Sequence, residues 1–254
     1  MKVYSGLEYK GQKVYTWEYI EHLRQEDYKK RNPYKIIPQK GGQEKMLTSD
    51  ADITIGGGSR GGSKTFSLLL EVLKDYDNKN FRSIILRKEV DDLTDIVDTS
   101  NGIYGDFGTY NRSKADMTWN FHSGGALKFN YYSDSFEDFK IRYQGKQYAY
   151  IGIDEITHIE YPKFKYLITN NRNAFDIRNR FWGTCNPDPD SWVAKFIDWW
   201  IGEDGLPIPE RNGVVRYCFM DGDEVNDIYW GDTKEEVYEQ CKSIIDKYWL
   251  DSYS

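Results

Sequence analysis

A short apolar run, Ile53-Thr54-Ile55, passes directly into Gly56-Gly57-Gly58-Ser59-Arg60-Gly61-Gly62-Ser63 and then Lys64-Thr65, after which Phe66, Leu69, Leu70 and Leu73 fall near helical spacing. Few folds accommodate such a stretch. A strand must deliver the loop and a helix must begin at its end. The glycines let backbone N–H groups close around an anion, and the helix N-terminus adds partial positive charge. A lysine followed by a hydroxyl residue completes a phosphate-binding loop, with Lys64 reaching the β- and γ-phosphates and the Thr65 hydroxyl ligating magnesium. Counting back from Lys64-Thr65 against G-x-x-x-x-G-K-[ST] puts Gly58 in the first glycine's place but Ser63 in the second's. Ser63 is small and Gly61-Gly62 adjoin it, which leaves room for a shifted loop. An ordinary glycine-rich turn explains the glycines but not the Lys-Thr pair at helix entry. Gly58, Ser59, Arg60, Gly61, Gly62, Ser63, Lys64 and Thr65 are therefore the candidate nucleotide-binding residues.

A second stretch supports the first. Gln147-Tyr148-Ala149-Tyr150-Ile151-Gly152-Ile153 reads as a buried strand that runs straight into Asp154-Glu155. Alone, Asp-Glu at a strand end is most simply a surface turn. Roughly 90 residues after a phosphate loop, it supplies an aspartate for the magnesium shell and a glutamate to activate water against the γ-phosphate. The second carboxylate fits direct hydrolysis rather than a kinase or a switch GTPase.

The rest of the pattern alternates strands with helices. Residues 81–87, 117–121, 126–132, 147–153, 179–185 and 214–220 read as strands, the second and third joined as a hairpin through Ser123-Gly124-Gly125. Helices are expected over Thr16 to Lys30, Lys64 to Leu73, part of the acidic segment Lys88 to Gly108, Ser135 to Arg142, Tyr161 to Arg172 and Trp192 to Ile201. Thr233-Lys234-Glu235-Glu236 has the capping-box form for a helix through Tyr248. The glycines closing the 88–108 segment suggest a flexible surface excursion, and Gly202 to Pro209 a linker. Such alternation predicts an α/β fold, a mainly parallel sheet flanked by helices. The expected organisation is an N-terminal arm over 1–37, a P-loop ATPase core over 38–200, and a small linker or lid subdomain with an acidic C-terminal helix over 201–254.

Composition excludes other classes. Mean hydropathy is −0.75 and no apolar run approaches the length of a membrane span. The first residues lack the apolar core of a signal peptide, which points to the cytoplasm. Cys185, Cys218 and Cys241 are odd in number and far apart, as reduced thiols would be. His22, His122 and His158 have no local metal partner and read as structural. Net charge is −7, but Asp221 to Ser254 carries ten acidic residues against three lysines, so residues 1–220 balance at 31 of each sign. A neutral body leaves room for a local basic, DNA-facing surface without demonstrating one.

Four stretches together carry a more specific likeness: Pro38-Gln39 to Gln43, the loop from Gly56 to Thr65, Tyr150 to His158, and Gly183-Thr184-Cys185-Asn186-Pro187-Asp188-Pro189-Asp190-Ser191-Trp192. In these the sequence resembles the large terminase subunits of tailed bacteriophages, the ATP-driven motors that package viral DNA into procapsids. The resemblance spans roughly 38–220. It implies a P-loop NTPase of the additional-strand, catalytic-glutamate type that binds ATP and Mg2+. Position by position, Gln43 corresponds to the adenine-recognising glutamine, with Gln39 near enough to compete. Lys64 and Thr65 correspond to the phosphate-loop lysine and the magnesium-binding hydroxyl, Asp154 to the metal aspartate and Glu155 to the catalytic carboxylate. Thr184 and Asn186 resemble the coupling motif that links ATP state to DNA movement. The implied partners are double-stranded DNA, a portal protein, a small terminase subunit and copies of the chain in a ring when assembled, or a monomer in isolation, with no membrane, in the host cell cytoplasm.

Charge developing on a transferred phosphoryl group also calls for an arginine. Arg60 is the candidate within the loop and Arg142 the candidate finger for a neighbouring subunit. Arg172, Arg178 and Arg180 are alternatives, and each of these arginines has the competing reading of a surface or salt-bridging residue. Family members usually continue into an RNase H-like nuclease domain. Residues 201–254 are too few for one, so no nuclease activity is expected of this stretch. Two other functions compete: a non-hydrolysing, nucleotide-gated assembly module of the packaging complex, and a helicase-like DNA-dependent ATPase.

Overall fold

The computed structural model describes residues 4–9, 12–15, 38–58, 64–113, 116–186 and 188–251. The chain divides into two compact units, Met1–Pro38 and Gln39–Ser254. In the first, β1 (Tyr4–Tyr9) and β2 (Gln12–Tyr15) pair as an antiparallel hairpin. The sequence pattern did not reveal it, and the helix expected over Thr16 to Lys30 lies outside the described residues.

The second unit is built on a seven-stranded sheet. In chain order it comprises α1 (Gly42–Leu47), β3 (Ile53–Gly57), α2 (Lys64–Val72), β4 (Arg82–Arg87), α3 (Leu93–Tyr104), β5 (Gly108–Asn111), β6 (Thr118–Phe121), β7 (Ala126–Tyr131) and α4 (Phe136–Tyr143). There follow β8 (Tyr150–Ile153), α5 (Tyr161–Asn170), β9 (Arg180–Cys185), α6 (Trp192–Phe196), β10 (Tyr217–Met220), β11 (Ile228–Gly231) and α7 (Lys234–Asp251). The sheet order is β3-β9-β8-β4-β7-β6-β5. The first five strands are parallel, and β6 and β5 add antiparallel pairs at one edge.

Sequence texture follows this change. β8 and β9 are buried at every position, as parallel strands covered on both faces must be. In β6, intermediate and exposed positions alternate with buried ones, and Trp119 and Phe121 point inward. The glycine-rich end of the 88–108 segment is not a loose excursion: Gly102 lies within α3, Gly105 caps it and Gly108 begins β5. Gly108 takes part because an added Cβ there would meet the backbone of Asn120 and Phe121 at 2.5 to 3.0 Å.

Two buried tyrosines brace α2. Tyr104 Oη donates to Leu69 O at 2.5 Å and Tyr150 Oη donates to Leu68 O at 3.0 Å. Behind the sheet, Phe164 of α5 is stacked among Phe181 of β9 and Trp192 and Phe196 of α6, with ring centroids 4.6 to 5.8 Å apart. The helix expected over Trp192 to Ile201 breaks after Phe196 into a 3-10 turn, Asp198–Trp200. The break turns two indoles onto separate partners. Trp200 Nε1 donates to Val214 O at 2.9 Å and its ring meets Trp230, while Trp199 lies under the Arg211 guanidinium.

β10 and β11 form a separate antiparallel pair against which α7 packs. β11 is a further strand that the sequence pattern did not reveal. At the start of α7, Thr233 Oγ1 accepts from Glu236 N at 3.1 Å, as a capping box requires, but the Glu236 carboxylate accepts from Asp232 N, one residue further back. Lys165 of α5 holds the turn before β11 by donating to Asp221 O and Gly222 O at 2.6 and 2.5 Å.

One ionic cluster is centred in the interior, with Asp75 at its partly exposed edge. Glu71 of α2 is wholly buried and pairs with Arg180 Nε of β9 at 2.5 Å, Arg180 also reaching Asp75. Burial pushes the Glu71 carboxyl above its ordinary value, against the opposing pull of Lys74 and Arg180. Removing one partner of such a pair strands the other charge, which costs about 3–5 kcal/mol, whereas replacing both by apolar residues is close to neutral. Arg180→Ala leaves Glu71 only its pair with Lys74 at 2.7 Å, so it should lose up to about that much stability in denaturant unfolding, and Glu71→Leu/Arg180→Met should regain most of it. Equal losses in the single and double variants would show that the pair does not clamp α2 to β9.

Candidate active site

Parallel strands present all their C-terminal ends at one edge of a sheet, where ligands bind in α/β folds. Here that edge gathers Gly57-Gly58 after β3, Arg87 ending β4, Asp154-Glu155 after β8 and Cys185-Asn186 after β9. The register explains the approach, because Leu86 pairs with Ile153 and Gly57 with Cys185.

Lys64, the first residue of α2, turns its amine toward the end of β9. Nζ donates to Gly58 O at 2.6 Å, Cys185 O at 3.0 Å and Asn186 Oδ1 at 2.7 Å, a partner for each of its three hydrogens. Thr65 Oγ1 lies 3.1 Å from both Asp154 carboxylate oxygens. Asp154 is only 3% exposed and has one further donor, Thr184 Oγ1 at 2.5 Å, and an ion pair with Arg87, whose Nε lies 2.9 Å away. Thr184 Oγ1 also accepts from Glu155 N at 3.2 Å, so one hydroxyl joins β9 to both acidic positions.

Glu155 has φ 58° and ψ 58°, the left-handed region that non-glycine residues seldom occupy. Such backbone costs on the order of 1–3 kcal/mol and persists where its surroundings hold it. The surroundings are visible. Ile156, the next residue, is buried against β9 at Gly183, where an added Cβ would meet its side chain at 2.6 to 3.1 Å. Tyr132 Oη donates to Glu155 O at 3.2 Å. Burial, with the Glu155 and Asp154 charges, holds the Tyr132 phenol above its ordinary range and keeps it a donor. The Glu155 carboxylate is 35% exposed, with Oε1 3.5 Å from Arg87 Nη2.

Arg87 is thus a residue of the site that sequence reasoning missed. Its Nη1 donates to Asp92 O at 2.7 Å while its other nitrogens face the two carboxylates. The available signal was its place as the last residue of an apolar strand, Phe81 to Arg87, whose end the fold puts beside Asp154.

The remaining predicted residues are distributed as follows. Ser59, Arg60, Gly61, Gly62 and Ser63 lie outside the described residues. Gln43 is buried on α1, which packs on β3 and α2, and its Oε1 accepts from Gln39 N at 2.5 Å, so Gln39 contributes its backbone. Arg142, ending α4, pairs with Asp134 at 2.7 Å, donates to Tyr131 Oη and stacks 4.3 Å from the Tyr131 ring. Arg180 belongs to the buried cluster, Arg178 pairs with Asp50 and Asp52, and Arg172 is exposed. All three cysteines are free; burial pushes the Cys185 thiol up, against the pull of Lys64.

The donor set suits magnesium. A threonine hydroxyl and one carboxylate are hard oxygen ligands, and Mg2+ is commonly held by one or two carboxylates with phosphates and water supplying the rest. Among the described residues no group of three or more His, Cys, Asp or Glu side chains could hold a metal alone.

A strand-loop-helix ending in Lys64-Thr65, an aspartate two strands away, and β9 inserted between those strands together define a P-loop NTPase of the additional-strand type. The family model for the terminase large subunit, T4likevirus-type, N-terminal, matches residues 55–242, and the chain belongs to that family. No curated protein sequence matches it. Among solved structures, the large terminase of a thermophilic bacteriophage is similar at 20% identity and TM-score 0.49, over 64% of this chain and 44% of that one. The same terminase in complex with ADP aligns at 20% identity and TM-score 0.46, over 60% and 40%. The Thermus phage P74-26 large terminase ATPase domain aligns at 14% identity and TM-score 0.49, over 77% and 79%. The chain thus covers less than half the length of the first of these proteins.

The bridging hydroxyl of Thr184 can be tested by shape-conserving substitution. Thr184→Val removes a donor to a buried carboxylate, a loss of about 1–3 kcal/mol, while Thr184→Ser keeps it. Thermal unfolding should separate the two variants by that margin. Equal melting temperatures would remove Thr184 from the network.

Proposed function

We propose that the chain hydrolyses ATP with Mg2+ and, assembled with copies of itself in a ring, drives double-stranded viral DNA into a procapsid in the host cell cytoplasm. A portal protein and a small terminase subunit are the partners this role requires. The observation that carries the hydrolytic part is the join of Thr65 to Asp154 across the sheet, with Glu155 beside it and partly open to solvent. Bound Mg2+ would neutralise charge on the β- and γ-phosphates, held by Thr65 and Asp154.

The chain's own residues divide the remaining work. Glu155 takes the proton of the attacking water. Phosphate oxygens compete for Lys64 with Cys185 O and Asn186 Oδ1, so nucleotide binding changes what the end of β9 can hold. Asn186, losing its cation, and Thr184, joined to Asp154, then report nucleotide state along β9 and into α6. Gln43 on α1 recognises the adenine, and residues 201–254 act as the lid subdomain beside the 38–200 core. Arg60 serves as the arginine within the loop. Arg142, fixed by Asp134 and Tyr131 and partly exposed, is a pre-formed finger for the neighbouring copy. An exposed water-facing glutamate beside the phosphate end supports hydrolysis over a module that only binds nucleotide.

Glu155→Gln should bind ATP normally yet release phosphate at least about 100-fold more slowly, the usual scale for losing a general base. Lys64→Ala should weaken ATP binding more than about tenfold. Phosphate release per chain should rise with protein concentration and lose that rise in Arg142→Ala. Unchanged turnover in Glu155→Gln would refute the base, and a concentration-independent rate would refute the finger in trans.

A further inference from the structure

His158, which the sequence grouped with structural histidines, stands on the same short turn as Glu155. The turn closes through His158 N donating to Glu155 O at 3.0 Å and Ile159 N donating to Ile156 O at 3.3 Å. It is anchored at both ends, by Ile156 and Ile159 in the core and by Trp192 Nε1 donating to Ile159 O at 2.7 Å. That backbone brings the imidazole back over Glu155, with Nδ1 3.2 Å from Oε2. The imidazole is thus a close polar neighbour of a carboxylate oxygen, which can only accept.

We propose that His158 is a positioning residue for hydrolysis, holding Oε2 of Glu155 turned outward toward the attacking water. This rests on the reading of Glu155 as the base. The two oxygens of Glu155 face different cations: Oε1 looks inward to Arg87 Nη2 and Oε2 outward to His158. A guanidinium favours bidentate capture of a carboxylate, and Arg87 already holds Asp154. Left to Arg87 alone, the Glu155 carboxylate would rotate both oxygens inward. The imidazole, close against Oε2, holds the rotamer and leaves that oxygen a lone pair for water. His158 is 49% exposed, and a contact between two such exposed groups contributes little to folding. Its effect therefore falls on orientation.

The test is steady-state phosphate release at saturating ATP, with the chain concentration raised until the unmutated chain turns over. Loss of this one orienting polar contact should lower kcat of His158→Ala about tenfold. KM for ATP and the melting temperature should stay as they are. His158→Asn, whose amide nitrogen takes the place of Nδ1, should recover most of kcat. Unchanged kcat in His158→Ala overturns the proposal, as does a loss that His158→Asn shares in full or one that appears in KM. Glu155→Gln measured alongside separates the two readings. If it is inactive and His158→Ala is not impaired, only the positioning role fails; if it turns over normally, the base assignment fails and the inference with it.

Discussion

An aspartate only 3% exposed needs partners for its oxygens, and Asp154 draws them from three elements at once. Thr65 comes from α2, Thr184 from β9 and Arg87 from β4. Each of these residues sits where a parallel strand or the loop helix ends, so satisfying one carboxylate fixes how four elements converge. The convergence then places Lys64 against Asn186 and Glu155 beside Arg87 without any further constraint. Stability and site geometry are one problem here, because the groups that satisfy the buried acid are those proposed to hold a metal ion and sense a nucleotide.

The second consequence is steric. β9 passes between the strands that carry the loop and Asp154, and it must let a turn lie on it for Glu155 to reach the open edge. Gly183 provides that space, since Ile156 occupies the volume a side chain would fill. The left-handed backbone of Glu155 follows: Ile156 goes down into the core, the peptide before it stays in line with β8, and the residue between absorbs the bend. The strain is thus supported by apolar burial on one side and by the Tyr132 hydrogen bond to the Glu155 carbonyl on the other. A glutamate so held has few rotamers to lose when it must orient water.

Much of this could be read in the sequence because the signals were local. Glycines followed by Lys64-Thr65, a buried strand ending in Asp154-Glu155, and the largely apolar runs at β8 and β9 each announce their structure within a dozen residues. What escaped had partners far away. Arg87 looks like an ordinary strand-end cation until β4 lies next to β8. β5 is hidden because Gly105 and Gly108 suggest looseness, whereas Gly108 is there to let two backbones meet. β11 and the break after Phe196 depend on indoles of one element finding carbonyls and rings of another, Trp200 on Val214 and Trp230. His158 is the intermediate case: its spacing from Glu155 is plain in the sequence, but only a tight turn brings i and i+3 together.

The aromatic packing behind the sheet suggests how a change at the phosphate edge would travel. Phe181 and Thr184 lie on the same strand, and Phe181 meets Phe164, which meets Trp192 and Phe196; Phe196 in turn meets Trp230 of β11. Rings packed tilted or edge to face at 4.6 to 5.8 Å resist sliding more than aliphatic contacts do, because their preferred geometries are few. A displacement of β9 would therefore be passed to the small β10–β11 pair, whereas the antiparallel β5–β7 edge lies on the far side of β4. If the site moves anything when nucleotide is exchanged, the rigid route leads from Asn186 back along β9 and out through α6.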